Sequence, residues 1–322
     1  MRMNKPRVWI TRKLSANTEK RAKRDYDVVL NPEDTLSSSD DIVRMSADVD
    51  AIIPCHSEHF DAATVAQLDS RLKIVANHSV GVDHCDLDAL KSKGICVTNT
   101  PDVLSDATAE IAMLLLLGAA RHAAEGDAMV RSGSWDSWSP SFMVGTQVSS
   151  KRLGIVGMGR VGQVMAKRAR GFDMQVHYYS RNRLNAEQEQ GATYHSSLDS
   201  LLPESEFLSL HCPATEHTRN LINKDTLALL PRGAILVNTA RGALVDESAL
   251  LAAIENGHLA AAGLDCFGVE PGGNAAFSAH KNIMMLPHIG SATFETRDAM
   301  GFRALDNLDA FFAGREPGDR LV

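Results

Sequence analysis

The chain is poor in the features that would mark a metal-binding, membrane or nucleic-acid protein. Its five cysteines (Cys55, Cys85, Cys96, Cys212, Cys266) are scattered, odd in number and never in C-x-x-C spacing. That argues against a zinc site and for the reduced thiols of a cytoplasmic protein. No basic run offsets a net charge of −7 over 322 residues, so neither nucleic acid nor an anionic membrane is an expected partner. The longest apolar run, residues 111–120, is too short to span a bilayer and suits a buried helix. Residues 1–7 lack an apolar core and lead directly into strand-like Val8-Trp9-Ile10, so no signal peptide is expected. Internal repeats and low-complexity tracts are missing as well.

What is present is the composition of a globular protein, 44% hydrophobic and 23% charged, long enough for two ordinary domains. Short strand-like runs recur at residues 8–10, 28–30, 51–53, 73–76 and 95–98, with helix-compatible segments such as 61–68 and 86–92 between them. Residues 106–121 read as a long buried helix, followed by a mobile-looking stretch, 132–140. Further strand candidates lie at 207–210, 234–238, 260–264 and 283–286, and a last helix at 293–313. Such alternation predicts α/β architecture with parallel sheets covered by helices.

The most informative stretch is Leu153-Gly154-Ile155-Val156-Gly157-Met158-Gly159-Arg160-Val161-Gly162. An apolar strand breaks into a G-x-G-x-x-G turn and a helical stretch follows, the fingerprint of a dinucleotide-binding βαβ unit. Gly157 allows the tight turn, Gly159 lets a pyrophosphate approach the backbone, and Gly162 lets helix pack on strand. The helix N-terminus offers N–H groups and partial positive charge to the phosphates. The second strand, residues 175–179, runs into Ser180-Arg181-Asn182-Arg183, where an NAD-binding unit usually places an acid. Arg can grip a 2′-phosphate that a carboxylate would repel, so NADPH is expected over NADH, with either Arg181 or Arg183 as the grip. Because this unit begins mid-chain and the tail beyond Ser291 is too short to be a domain, the first unit is expected to be discontinuous. The expected division is 1–105 with 292–322, and 106–291, with two crossings forming a hinge.

Three segments downstream each follow a strand candidate: Asn238-Thr239-Ala240-Arg241-Gly242, Asp265-Cys266-Phe267-Gly268-Val269-Glu270-Pro271 and Leu286-Pro287-His288-Ile289-Gly290-Ser291. Each therefore sits at a carboxyl edge of the sheet, where ligands bind in open α/β folds. Arg241 can hold a carboxylate bidentately and polarise an adjacent carbonyl. His288 can protonate a carbonyl oxygen as hydride arrives, and Glu270 can favour the imidazolium that does so.

The chain resembles the D-isomer-specific 2-hydroxyacid dehydrogenases over nearly its whole length. The likeness is carried by His78-Ser79-Val80-Gly81-Val82-Asp83, the glycine turn, His211-Cys212-Pro213-Ala214-Thr215 with Thr218-Arg219-Asn220, Thr239-Ala240-Arg241-Gly242, Glu270-Pro271 and Pro287-His288. The resemblance implies two Rossmann-like domains, the discontinuous one flavodoxin-like and substrate-binding, with the active site in the cleft between them. It implies that Arg241, Glu270 and His288 are catalytic and that backbone N–H groups of Val80 and Gly81 bind the substrate carboxylate. His56 and Ser57 fall in the family's variable substrate loop. The implied cofactor contacts are Thr108, Gly157, Met158, Gly159, Arg160, Val161, Ser180, Arg181, Arg183, Cys212, Pro213, Thr218, Thr239, Ala240, Arg241, Asp265, His288 and Gly290.

Within the family the likeness is closest to glyoxylate and hydroxypyruvate reductases, and Ser180-Arg181 fits their use of NADPH. In such reductases the loop holding Trp135 and Trp138 belongs to a dimer arm, and its Trp, here Trp138, can reach a neighbouring subunit's active site. Both rings serving simply as interface anchors is an equal alternative. The resulting expectation is a cytoplasmic homodimer that reduces glyoxylate or hydroxypyruvate to the 2-hydroxy acid, without a metal. Other readings are an NAD-linked D-2-hydroxyacid or formate dehydrogenase, and a dinucleotide-sensing corepressor. No regulatory domain is expected after Val322.

Overall fold

The computed structural model describes residues 5–322; the first four residues, part of the start read above for a leader, lie outside it. The chain divides into two compact units, one ending at Leu104 and completed by Ala292–Val322, the other running Ser105–Ser291.

In the first unit five strands, β1 (Arg7–Ile10), β2 (Asp27–Val29), β3 (Ala51–Ile53), β4 (Ile74–Ala76) and β5 (Cys96–Thr98), form one parallel sheet in the order β2-β1-β3-β4-β5. This is the flavodoxin-like order. Alternation along each strand feeds two cores. Val8, Ile10, Ile53 and Ala76 face one side, packed with Ala304, Leu305 and Leu308 of the final helix Phe294–Phe312. Trp9, Ile52, Val75 and Val97 face the other, against Ile42, Val65 and Leu90. The C-terminal helix therefore closes a core that the N-terminal strands open. Its start, like those of Ala62–Gln67 and Leu87–Ser92, is set by a side-chain cap: Thr293, Asp61 and Asp86 accept from backbone N–H groups three residues on.

The second unit carries β6 (Arg152–Val156), β7 (Gln175–Tyr179), β8 (Thr193–His195), β9 (Phe207–Leu210), β10 (Ala234–Asn238), β11 (Leu259–Leu264) and β12 (Ile283–Met285). All are parallel, in the order β12-β11-β10-β9-β6-β7-β8. The order reverses between β6 and β9, the switch point where a doubly wound sheet opens a crevice for ligand. The helix Ser105–Ala120, apolar nearly all round, lies on this sheet. A side chain at Gly263 would meet Leu115 Cβ at 2.8 Å, so the glycine sets how closely helix and β11 approach.

One helix not read from the sequence bears on the loop that follows it. Ala123–Ser132 occupies part of the stretch between the buried helix and β6, yet none of its residues is buried. With no face turned to its own core it has no apolar stripe, the signal by which a helix is read in sequence. After it, Trp135 is 55% exposed and Trp138 74%. Among the described residues no single helix is long and apolar enough to cross a membrane.

Candidate active site

The glycine turn is built from close contacts. Gly157 has φ +93°, and a Cβ there would lie 2.6 Å from the Cys212 nitrogen, so the turn after β6 and the loop after β9 meet backbone to backbone. A Cβ on Gly162 would lie 2.3 Å from the Gly157 carbonyl oxygen, which fixes how tightly the helix Arg160–Arg170 springs from the turn. Gly159 is different. No atom lies within 4 Å of its would-be Cβ, and as the residue before the helix it offers no side-chain cap. With no side chain at its N-cap and open space beside Gly159, the start of that helix has the arrangement that receives a phosphate. Further along the same sheet edge the Thr239 hydroxyl is buried and, among the described residues, without a hydrogen-bond partner. An uncapped helix end in open space and an orphaned hydroxyl fit a dinucleotide.

At the tip of β7, Ser180 Oγ accepts the Met158 N–H at 2.7 Å, so this hydroxyl is stitched into the glycine turn. Its own proton points elsewhere. Arg183 does not extend toward that turn: its guanidinium donates to both oxygens of Glu189 at 2.8 and 3.1 Å and lies over the Tyr194 ring at 5.5 Å. Glu189 also accepts the Tyr178 hydroxyl at 2.6 Å, and Arg183 first, then Tyr178, hold its carboxyl below the usual range. Arg181 is exposed and, among the described residues, makes no ion pair.

After β9, His211 hydrogen-bonds Ser209 Oγ at 2.8 Å, and burial pushes its imidazole down to about 4. It is a neutral ring at ordinary pH. Burial also pushes the Cys212 thiol up to about 11, so it stands protonated. Thr218 Oγ1 accepts the Thr215 N–H and donates to the Pro213 carbonyl, each at 2.8 Å, closing this loop on itself.

The three charged residues singled out above come from the carboxyl ends of β10, β11 and β12. Asn238 shapes the first turn: its Oδ1 accepts the Ala240 N–H at 3.0 Å and its Nδ2 donates to the Arg241 carbonyl at 2.8 Å. Arg241 Nη1 donates to the Ala240 carbonyl at 2.8 Å. A Cβ on Gly242 would sit 1.9 Å from the Phe267 carbonyl carbon, so the loops after β10 and β11 are in backbone contact. Glu270 Oε1 accepts the Phe267 N–H at 2.7 Å, and its Oε2 meets His288 Nδ1 at 2.5 Å. The Glu270–Pro271 peptide is cis.

His288 sits at φ +55° and is secured by its neighbours. Asp265, 1% exposed, takes the Ile289 N–H on one oxygen at 2.8 Å and the Gly290 N–H on the other at 2.7 Å. Burial raises this carboxyl above the usual range, against the lowering by the two N–H groups. Expected among the cofactor contacts, Asp265 has both oxygens engaged in bracing the histidine loop, a role that the sequence alone did not show. Thr108 lines the same corner, its methyl 3.4 Å from where a Gly290 Cβ would be.

In the first unit, Ser57 Oγ donates to the buried Glu58 at 2.7 Å and accepts from Arg12 Nη1 at 3.0 Å, with His56 beside it on the loop after β3. The Val80–Gly81 loop follows β4. Its carbonyls are tied back by Asn99 Nδ2 on Val80 at 2.8 Å and Ser79 Oγ on Gly81 at 2.8 Å.

Residues 113–290 match the family model described as "D-isomer specific 2-hydroxyacid dehydrogenase, NAD binding domain". Over 316 residues the chain is 43% identical to a glycerate dehydrogenase of Hyphomicrobium methylovorum, covering 98% of each. Over 318 residues it is 43% identical to a glyoxylate reductase of Pyrococcus furiosus, covering 97% of this chain and 94% of the relative. The crystal structure of an NADPH-dependent glyoxylate/hydroxypyruvate reductase from Sinorhizobium meliloti, in complex with NADP and malonate, matches with a TM-score of 0.87 at 30% identity, covering 99% of this chain and 97% of that one. With that fold, that glycine turn and these relatives, the chain belongs to the D-isomer specific 2-hydroxyacid dehydrogenases, oxidoreductases that use a nicotinamide dinucleotide to interconvert small 2-oxo and 2-hydroxy acids.

Proposed function

We propose that this enzyme is an NADPH-dependent reductase of glyoxylate and hydroxypyruvate, with His288 as the general acid. The observation that carries the reading is the 2.5 Å contact between His288 Nδ1 and Glu270 Oε2 at the carboxyl edge of the sheet. A carboxylate on Nδ1 fixes the ring's orientation and makes Nε2 the nitrogen that gives up a proton. The dinucleotide supplies the hydride when bound. His288 delivers a proton to the substrate's carbonyl oxygen as charge builds there, and Glu270 holds the ring in place through Nδ1. Arg241 grips the carboxylate and polarises the carbonyl, and the Val80 and Gly81 N–H groups bind the same carboxylate. The second unit is then the dinucleotide domain and the first the substrate domain, with His56 and Ser57 near the substituent on the oxo acid.

Three features support NADPH over NADH. No acid stands at the tip of β7, Ser180 keeps a proton to donate to a 2′-phosphate, and exposed Arg181 can reach one while Arg183 is held by Glu189. The naming of the Sinorhizobium meliloti relative as an NADPH-dependent glyoxylate/hydroxypyruvate reductase points the same way. The exposed Trp135 and Trp138 support a homodimer whose arm is the segment they stand on. The test is steady-state turnover of a panel of 2-oxo acids with NADPH and with NADH. Glyoxylate and hydroxypyruvate with NADPH should give the highest kcat/KM; a branched or aromatic oxo acid leading the panel, or NADH matching NADPH, would overturn the assignment.

A further inference from the structure

We propose that Asn99 is a positioning residue that aims the two N–H groups of Val80 and Gly81 at the substrate carboxylate; this rests on the reading of those N–H groups given above. A trans peptide is planar, and its carbonyl and N–H point in opposite directions. Holding one therefore aims the other. The Gly81 N–H belongs to the peptide whose carbonyl is that of Val80, and Asn99 Nδ2 donates to that oxygen at 2.8 Å. The Val80 N–H belongs to the peptide whose carbonyl is that of Ser79, and the Thr100 N–H donates to that oxygen at 2.9 Å. Two consecutive peptide planes are thus clamped by two consecutive residues just past β5. Among the described residues neither the Val80 nor the Gly81 N–H has a hydrogen-bond partner of its own. Two adjacent N–H groups, held by their carbonyls and left unpaired, form a rigid receptor for one anionic oxygen.

Asn99 is itself braced, by the chain's C-terminal segment. Its N–H donates to the Asp319 carbonyl at 3.4 Å, and its carbonyl accepts from Asn307 Nδ2 at 3.3 Å. Asn307 also donates to Asp319 Oδ2 at 3.0 Å, and Arg303 grips both oxygens of Asp319 at 2.8 and 2.7 Å. A continuous hydrogen-bonded run thus leads from Arg303 through Asp319, Asn307 and Asn99 to the Val80 carbonyl. Thr100 acts through its backbone, so Asn99 is the member of the clamp that substitution can remove. Without its amide the Val80–Gly81 peptide can rotate, and the Gly81 N–H loses its aim.

The experiment measures binding of oxamate, a non-reducible 2-oxo carboxylate mimic, and of oxamide, its neutral amide, to the full-length protein with NADPH bound. Wild type should bind oxamate well over 10-fold more tightly than oxamide. Asn99→Ala should narrow that ratio by about 10- to 100-fold while leaving the NADPH dissociation constant within 2-fold. Asn99→Asp keeps the shape but opposes the Val80 carbonyl with another acceptor, and should narrow the ratio further. If wild type does not discriminate the two ligands, the carboxylate reading of Val80 and Gly81 fails. If wild type discriminates and both folded variants do so equally well, that reading stands and the role of Asn99 is refuted. A parallel loss of NADPH affinity would mark Asn99 as merely structural and would also refute it.

Discussion

Arg181 and Arg183 stand two positions apart on one exposed tip, and their surroundings divide them. Glu189, six residues beyond Arg183, accepts both of its guanidinium bonds. Arg181→Ala should therefore shift the NADPH-over-NADH preference by about 10- to 1000-fold, the loss of one or two charge-assisted bonds of roughly 1.5–3 kcal/mol each. Arg183→Ala should move the preference by less than about 3-fold. Comparing KM for the two cofactors in both variants checks this, and equal effects would refute the division of roles. If His288 is the proton donor proposed above, His288→Ala should depress turnover by about 100-fold or more at every pH. Glu270→Gln removes the charge beside Nδ1 but keeps the bonding shape, and should lower kcat by about 10-fold or more. Near-wild-type turnover in that variant would exclude the pairing. The placement of Arg241, Glu270 and His288 at the carboxyl edge of the sheet was legible in the sequence because each follows an apolar strand. The roles of Glu189 and Asp265 were not, because a partner six or 24 residues away leaves no periodic mark.

At the level of elements, the starts of helices and the ends of strands were the readable features. The ranges 61–68, 86–92 and 293–313 began on Asp61, Asp86 and Thr293 because these caps belong to the helix signal, although each helix proper begins one residue later. The helix Ala123–Ser132 escaped because it buries nothing within its own chain. Loop-to-loop contact was also invisible, and Gly242 shows why. Its neighbour across the contact is the backbone at Phe267, not a sequence neighbour. Gly242→Ala must push two backbones apart, since atoms 1.9 Å from a new Cβ cannot yield as a flexible side chain could. Such overpacking costs roughly 1–3 kcal/mol. It should lower kcat by about 100-fold or more, because it separates the Arg241 turn from the Glu270 loop. NADPH affinity should change by no more than a few-fold. Near-normal turnover in this variant would show that the contact does not position the trio.

For the whole molecule, two histidines couple stability to pH. Burial, with the nearby Arg297 adding to it, holds His78 at about 4, and burial alone does the same for His211. An unfolded histidine takes its proton near 6.5, so between there and pH 4 the unfolded chain binds protons that the native chain refuses. Stability should therefore be full above about pH 6.5 and fall as the pH is lowered toward 4, by at most about 3 kcal/mol for each ring. Thermal melts from pH 7.5 to 5 should show this slope, and His78→Gln should flatten it; an unchanged slope in the variant would clear His78 of the effect. Assembly is the other property of this scale. Two tryptophans more than half exposed on one segment predict a dimer, and a monodisperse monomer in sedimentation at micromolar concentration would count against it.

The threading of the chain also orders events at the ribosome. The second unit is one uninterrupted stretch, complete once Ser291 has emerged, whereas the first is opened by the earliest strands and finished only by the last 31 residues. Ala304, Leu305 and Leu308 fill one face of a sheet whose strands left the exit tunnel some two hundred residues earlier. During that interval Val8, Ile10, Ile53 and Ala76 have only Ala22 and Tyr26, from the first helix and its end, to cover them, so the nascent chain carries a partly uncovered apolar face while its later half is already folding. A trigger-type holdase has its natural client in that interval, and a stop codon just before the final helix should yield aggregation rather than a shortened enzyme.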